Sequence, residues 1–550
     1  MKRTKIAALM LAACITVSTL PALAEQDSAR PTDTPRNQIT GTESTGNNPQ
    51  FPSFGQRPEE GNRPGDRPSQ MPGNGQPGQG PRSGLIPNTP GNEMPGGHGE
   101  DARPELPEGQ APQFPDSMSP DRQTGDAPEG NLPAPPSGGT PGMEHGNEPP
   151  ARPNESGFPG NAPFQQAESM EYTAALTLSE DASGETYTSQ TDGENALLVS
   201  ASEVHVSDST VEKTGSSTGE SADFYGINAA VLAKDGANLY VSDATVTSSG
   251  THANGIFSYG QGTSVTVSDT SIETTGDNSG GLMTTGGASM TANNVTVSTS
   301  GHSSAAIRSD RGGGKVTVNG GSFATSGVGS PAIYSTADIT ITDAVLESTA
   351  SEAVVIEGGN SVTLINADLA GNNAILNGQS TEKTNVLIYQ SMSGDAQEGS
   401  STFTMVGGSL KSNTGSMFHV TNVSTAISLK GVDLTLSEDA STLLSATADS
   451  WGKSGSNGGH VQLTLSHQEA AGDIVTDAIS SVTVTLSEGS SYTGAVNASQ
   501  TGSASLSLDA SSTWTLTGDS YLDAFEGDVN QINLNGYTLY VGGERVVSAK

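Results

Sequence analysis

The 550-residue chain has a single cysteine, Cys14. That excludes an intrachain disulfide, a cysteine-built zinc site, thiol catalysis and an iron–sulfur cluster. Bases are scarce: 23 Lys and Arg stand against 60 Asp and Glu, for a formal charge of −37. A surface of that sign repels nucleic acid, and an anionic polymer could approach only through bridging cations. Aromatics make up 4% of the residues, and 28 of the 30 prolines lie between Glu25 and Glu168. After the first twenty residues no apolar run is long enough to span a membrane. An amphipathic helical period of useful length is missing too, which leaves strands and turns to build whatever folds.

The N-terminus has the organisation of an export signal. Lys2, Arg3 and Lys5 precede an apolar run from Ile6 to Leu20, and Ala22-Leu23-Ala24 supplies the small residues of a cleavage site. Residues 1–24 are therefore expected to be a signal peptide and the protein to be secreted or held at the cell surface. Leu11-Ala12-Ala13-Cys14 also fits a bacterial lipobox, which would place a lipid on Cys14 and anchor the protein. Residues 25–168 carry 20 acids and 9 bases among the prolines and glycines. Such a composition cannot bury enough apolar surface to offset chain entropy, so a disordered Pro/Gly-rich spacer is expected there.

From about Glu171 the chain is built of Ser, Thr, Gly and Val in short apolar–polar alternations, each closed by Gly, Asn or Asp. The phrase PAIYSTADITITDAVL returns as EAVVIEGGNSVTLINADL after about 23 residues. Turn residues recur at Asp208, Asp243, Asp269, Asn294, Gly320, Asp343, Asn366, Gly407 and Gly431. Paired inward positions precede each, such as Val265 and Val267 or Ile339 and Ile341. A single apolar anchor follows three residues later, from Val211 to Leu434. Three short strands per period of this length predict one coil of a parallel β-helix, with residues 169–550 as the solenoid. Looser alternations at Leu463–Leu465, Val482–Leu486, Leu506–Leu508 and Ile532–Leu534 extend it toward the C-terminus. Residues 390–401 and 448–460 read as excursions from the coil.

Phrases such as SPAIYSTADITITDAVL, GSMFHVTNVSTAISLKGVDLTLS and NLNGYTLYV resemble the secreted bacterial right-handed β-helix proteins of the pectin-lyase-like fold, a class that includes adhesin-like repeat proteins. The resemblance covers about residues 170–550. It implies export, an elongated monomer and binding of extracellular glycans or surface proteins. The same fold hosts polysaccharide lyases and glycoside hydrolases, and purely structural matrix proteins are a further alternative. The chain has no LPxTG-type sorting motif, so the resemblance leaves the mode of attachment open.

The residues themselves point away from catalysis. The acid motifs of polygalacturonases are missing from the repeats, and the one Gly-His-Gly, at Gly97-His98-Gly99, lies in the spacer. The repeats hold 40 acids, 11 bases and only three arginines. Arg308 and Arg311, with Asp310 and Lys315, form the one concentration of positive charge; a polar loop balancing local acids is the simpler reading, a ligand site the sharper one. Asp208, Asp243 and Asp269 fall at equivalent corners, where turn geometry explains them and structural calcium is the alternative. Cofactors are otherwise not expected. His205, His252, His302, His419, His460 and His467 read as scattered surface residues. Gly215-Ser216-Ser217-Thr218-Gly219 matches Gly-x-Ser-x-Gly, but no following helix is expected, so it reads as a loop.

One outward pattern remains. Thr266, Thr291, Thr317, Thr340 and Thr363 sit between the paired inward positions and continue as Thr404 and Ser428. They predict a hydroxyl ladder on one face, with Tyr240 near its start, as the candidate ligand-binding surface. Thr also simply favours exposed strand positions. Aromatics form no evident platform: Phe224 and Tyr225, if on a strand, would face opposite ways.

Overall fold

A computed structural model describes residues 170–546 apart from 220, 392 and 439. The expected signal peptide, the expected spacer and Cys14 lie outside the described residues.

Each coil places three short strands around one apolar core. The coil of Ile333–Ser335, Asp338–Thr342 and Val345–Ser348 is followed by Val354–Glu357, Ser361–Ile365 and Asp368–Gly371. Ile333 pairs with Val354, Ile339 with Val362 and Leu346 with Leu369, all in parallel register. The two sequence phrases therefore lie directly on one another. Like residues stack because an inward column is continuous only when each coil meets a similar one. The resulting core runs from Tyr187 to Leu539.

Two sheets dominate. The first has 12 strands, from Thr173–Leu178 to Asp473–Thr476. The second has 22 strands, because it counts those on both sides of the corner. Ala288–Thr299 and Gly314–Thr325 pass through that corner without a break and join the two sides. All nine expected turn residues have a positive φ, from 48° at Asp269 to 71° at Gly320. In the left-handed region Gly, Asn and Asp are the least strained residues, which is why they recur there. His467 and Glu488 adopt the same angles at corners that composition alone did not single out.

The C-terminal coils follow the expected alternation with one correction. Val484 pairs with Leu506, and Leu506 pairs with Phe525. Ile532 instead lies on Trp514 in a separate four-stranded sheet. Its apolar–polar pattern was right for a strand but carried no information about which sheet receives it. The fold is a parallel β-solenoid, and among the described strands the one antiparallel pair joins Tyr540 to Arg545.

The two sheets differ on their outer sides. Alternate outward positions of the second sheet are half-buried or exposed, as in Ser264–Ser268. Strands within the first sheet are buried on both sides, as in Ile256–Tyr259 and Thr384–Tyr389, whereas its first strand, Thr173–Leu178, is largely exposed. Near its N-terminal end the short helix Ser221–Tyr225 covers it, packing Phe224 and Tyr225 with Leu232, Phe257 and Met283. Both aromatics thus point to the protein, whereas a strand would have turned one away. Farther along, the excursions 372–383, 390–399 and 447–458 fold back over it, with Trp451 against Tyr389, Val355 and Leu387.

Candidate functional site

The hydroxyl ladder forms in register. Tyr240 pairs with Thr266, Thr266 with Thr291, Thr291 with Thr317, Thr317 with Thr340 and Thr340 with Thr363. It continues through Thr404, Ser428, Thr464 and Thr485. The five threonines from Thr266 to Thr363 are half-buried between their neighbours. Their hydroxyls make no hydrogen bond to other described residues.

The flanking columns behave differently. Ser264 donates to Asn238 Oδ1 at 2.7 Å, Asn319 Nδ2 to Asn293 Oδ1 at 2.9 Å, and Ser361 to Asp338 Oδ1 at 2.6 Å. These bonds run from coil to coil and tie down the edges of the face, leaving the central hydroxyls for solvent or a ligand. At the N-terminal end the Tyr240 ring is 38% exposed. It stacks on His205 with centroids 4.4 Å apart and planes 7° from parallel. The two rings come from adjacent coils, 35 residues apart in sequence, so no local pattern announces their contact.

Arg308 and Arg311 do not join the ladder. Arg308 lies on the first sheet, in Ile307–Ser309, and Arg311 in the turn after it, where the structure gathers a buried charged cluster. Arg308 Nη2 donates to Asp310 Oδ2 at 2.8 Å, and Arg311 Nε donates to Asp395 Oδ1 at 2.6 Å. The Arg311 guanidinium also sits 4.0 Å from the centre of the Phe224 ring. Lys315 remains outside, exposed on the second sheet. Arg308 thus meets a local acid, whereas Arg311 reaches an acid 84 residues away, beyond any local signal.

Glu357 stands at the centre of this cluster. It accepts hydrogen bonds from Tyr334 and Ser391. The Tyr389 hydroxyl lies 3.2 Å from the same carboxylate and 2.9 Å from Gln379 Oε1, and its one proton serves either. Burial raises the Glu357 pKa, helped by the charge of Asp395. Burial also raises Asp310, to about 7, against the pull of Arg308 and with the help of Asp395 and Glu357. Several carboxylates with limited water cannot all ionise cheaply, so protons are retained among them.

Histidines occupy more structured places than their spacing suggested. His419 is fully buried, with Nε2 3.3 Å from Asp449 and Nδ1 3.4 Å from Glu382. Asp449 also accepts from the Ser380 hydroxyl at 2.6 Å and from Thr381 Oγ1 at 2.7 Å. Burial would push Asp449 up, but the contacts with His419, Ser380 and Thr381 hold it well below the usual carboxylate range. Excursions 372–383 and 447–458 are clasped together at this point. His252 Nδ1 lies 3.0 Å from both oxygens of Asp223, and that hydrogen bond raises its pKa against burial.

The Gly-x-Ser-x-Gly segment does precede a helix after all, the single turn Ser221–Tyr225. The Ser217 backbone N–H donates to Thr251 O at 3.0 Å, beside the turn that carries His252. No hydrogen bond links Ser217 to His252, so a nucleophile–base pair is not assembled.

At the corners, Asn294 Nδ2 donates to Asp269 Oδ1 at 2.7 Å, which relieves the acid ladder with an amide. Among the described residues no group of three His, Cys, Asp or Glu is arranged to hold a metal ion, and no helix is long and apolar enough to cross a membrane. The fold thus defines a parallel β-solenoid with one open polar face and one covered face. No protein-family model, curated protein or solved structure matches the chain.

Proposed function

We propose that this chain is an exported, non-catalytic, adhesin-like member of the secreted right-handed β-helix class, binding extracellular glycans or other surface partners through the threonine ladder. The observation that carries the reading is the row of unengaged hydroxyls at Thr266, Thr291, Thr317, Thr340 and Thr363, held at one-strand intervals by a rigid stack. Repeated donors and acceptors on a preorganised surface suit a repeating polar ligand, because little conformational freedom is lost on binding.

The enzymatic alternative would draw on Asp310 or Glu357, whose raised pKa values suit a general acid. Against it, both carboxylates are buried and committed to Arg308, Tyr334 and Ser391. One experiment separates the readings. The secreted chain is run through gels containing polysaccharides, and released reducing or unsaturated ends are measured on the same samples. Retardation without products supports a binding rod. Products that vanish on Arg308→Ala overturn it in favour of a lyase or hydrolase, and neither signal leaves a matrix component.

A further inference from the structure

The ladder can be read for the charge and direction of what it holds. In a solenoid with 40 acidic residues, the outward positions before the corner are almost free of charge. From Asn238–Ser242 to Ser481–Ser487 they carry Lys315, Asp338 and Lys430 as their only formally charged side chains. Lys315 and Asp338 are register partners on adjacent coils, so their charges offset locally. The next face, after the corner, is different: Glu212, Glu273, Glu347, Asp368 and Asp433 point outward there. Acid is kept off one face and tolerated on its neighbour.

Direction follows from the repeat. Along a strand the outward residue changes at every second position, for example from Asp338 to Thr340 to Thr342. Along the axis the same hydroxyl recurs from coil to coil at about 4.8 Å. A polymer lying across the strands along the axis meets one donor–acceptor group per step. An extended β-linked pyranose chain advances by nearly that distance per sugar, whereas a coiled α-linked chain drifts out of phase. At the N-terminal end of the lane the Tyr240 ring is 38% exposed, with one face covered by His205.

Resting on the glycan-binding reading above, we infer that the ligand is a neutral, extended, β-linked polysaccharide aligned with the solenoid axis over Thr266, Thr291, Thr317, Thr340 and Thr363. Acidic polysaccharides are disfavoured by the charge of the surrounding rod, and hydroxyls without charge give binding that salt leaves nearly unchanged.

The test is affinity electrophoresis of the full secreted chain in hydroxyethyl cellulose, soluble starch and polygalacturonate, each at low and high salt and with and without calcium. Retardation in hydroxyethyl cellulose alone, insensitive to salt, supports the inference. The triple variant Thr317→Val, Thr340→Val, Thr363→Val is then expected to weaken retardation about tenfold or more. Circular dichroism and melting of the variant confirm that the stack is intact; unchanged retardation by a folded triple variant overturns the assignment of the lane. Equal retardation in starch overturns the axial alignment, and retardation only in polygalacturonate overturns neutrality, while both leave glycan binding standing. No retardation in any of the three, against a wider glycan panel that also fails, removes the glycan reading itself.

Discussion

The two broad sheets share one core and one repeat, yet their outer surfaces follow opposite rules. On the second sheet, Thr266 to Thr363 repeat with every coil, stay half-exposed and keep their hydroxyls unengaged. On the first, the corresponding outward row changes at every step, through Phe257, Met283, Arg308, Tyr334, Val355, Leu387 and His419. That row is covered by segments inserted between coils. Uniformity is what an open face needs to meet a repeating ligand. Individuality is what a covered face needs, since each position meets a different inserted segment. Polar groups that enter such a covered layer must be paired, and here they are paired as Arg308–Asp310, Arg311–Asp395 and His419–Asp449.

The most severe way to break the contrast is to leave one covered charge alone. Arg311 and Asp395 are 7% and 5% exposed, so Arg311→Ala would take the guanidinium counter-charge from a buried carboxylate of the excursion 390–399. Removing one partner of a buried pair costs about 3–5 kcal/mol. The denaturation midpoint should fall accordingly, with the loss concentrated in amide exchange around 390–399. A shift no larger than that of a surface substitution would mean that water reaches this pair.

The covered face should also respond to pH in a way the hydroxyl face does not. Asp310 is raised to about 7 in the folded protein from an ordinary value near 3.8, and Glu357 moves in the same direction. The folded state therefore holds protons that the unfolded chain releases. Their stabilising contribution is full below about pH 4 and is lost as pH rises toward 7. Asp449 and Asp477 have the opposite sign: hydrogen bonds overcome the effect of burial and lower them, so their contribution is present above about pH 4 and lost on further acidification. Melting temperature should accordingly peak in mildly acid buffer and decline toward neutrality. Glu357→Gln, which keeps an acceptor for Tyr334, should flatten that decline. An unchanged slope would place the titration elsewhere in the acidic rod.

The same contrast explains what was legible in the sequence. Features made by one coil stacking on its copy were readable, because they repeat: the inward pairs, the nine positive-φ corners and the threonine ladder all lie where periodicity put them. A second repeating signal is present in the glycines. Gly276, Gly301 and Gly327 each open a Gly-x-x-Ser phrase. A Cβ on Gly301 would meet Gly276 O at 1.9 Å, and one on Gly327 would meet Gly301 O at 1.8 Å. The serines then stitch the same turn together, Ser304 Oγ donating to Gly276 O at 3.0 Å and Ser330 Oγ to Gly301 O at 2.8 Å. Contacts between an inserted segment and the sheet occur once, at separations of 84 residues for Arg311 with Asp395 and 53 for Tyr172 with Tyr225. No period points to them. For that reason the excursions at 390–401 and 448–460 are recognisable as departures from the coil, but their destination is not, and 372–383 does not stand out in the sequence.

The smallest expected effect is the sharpest test of the open face. A stabilising role and a ligand-binding role for the threonine ladder predict different things when the hydroxyls alone are removed. Val has nearly the shape of Thr and an equal liking for strands, and Thr317, Thr340 and Thr363 make no hydrogen bond that would be lost. Replacing all three with Val should change stability by within about 0.5 kcal/mol per site, the range of ordinary surface substitutions. If the hydroxyls were part of what holds the coils together, the melt would drop well beyond that. A neutral result joined to lost polysaccharide retardation would mean that this row of threonines is maintained for what it touches outside the protein.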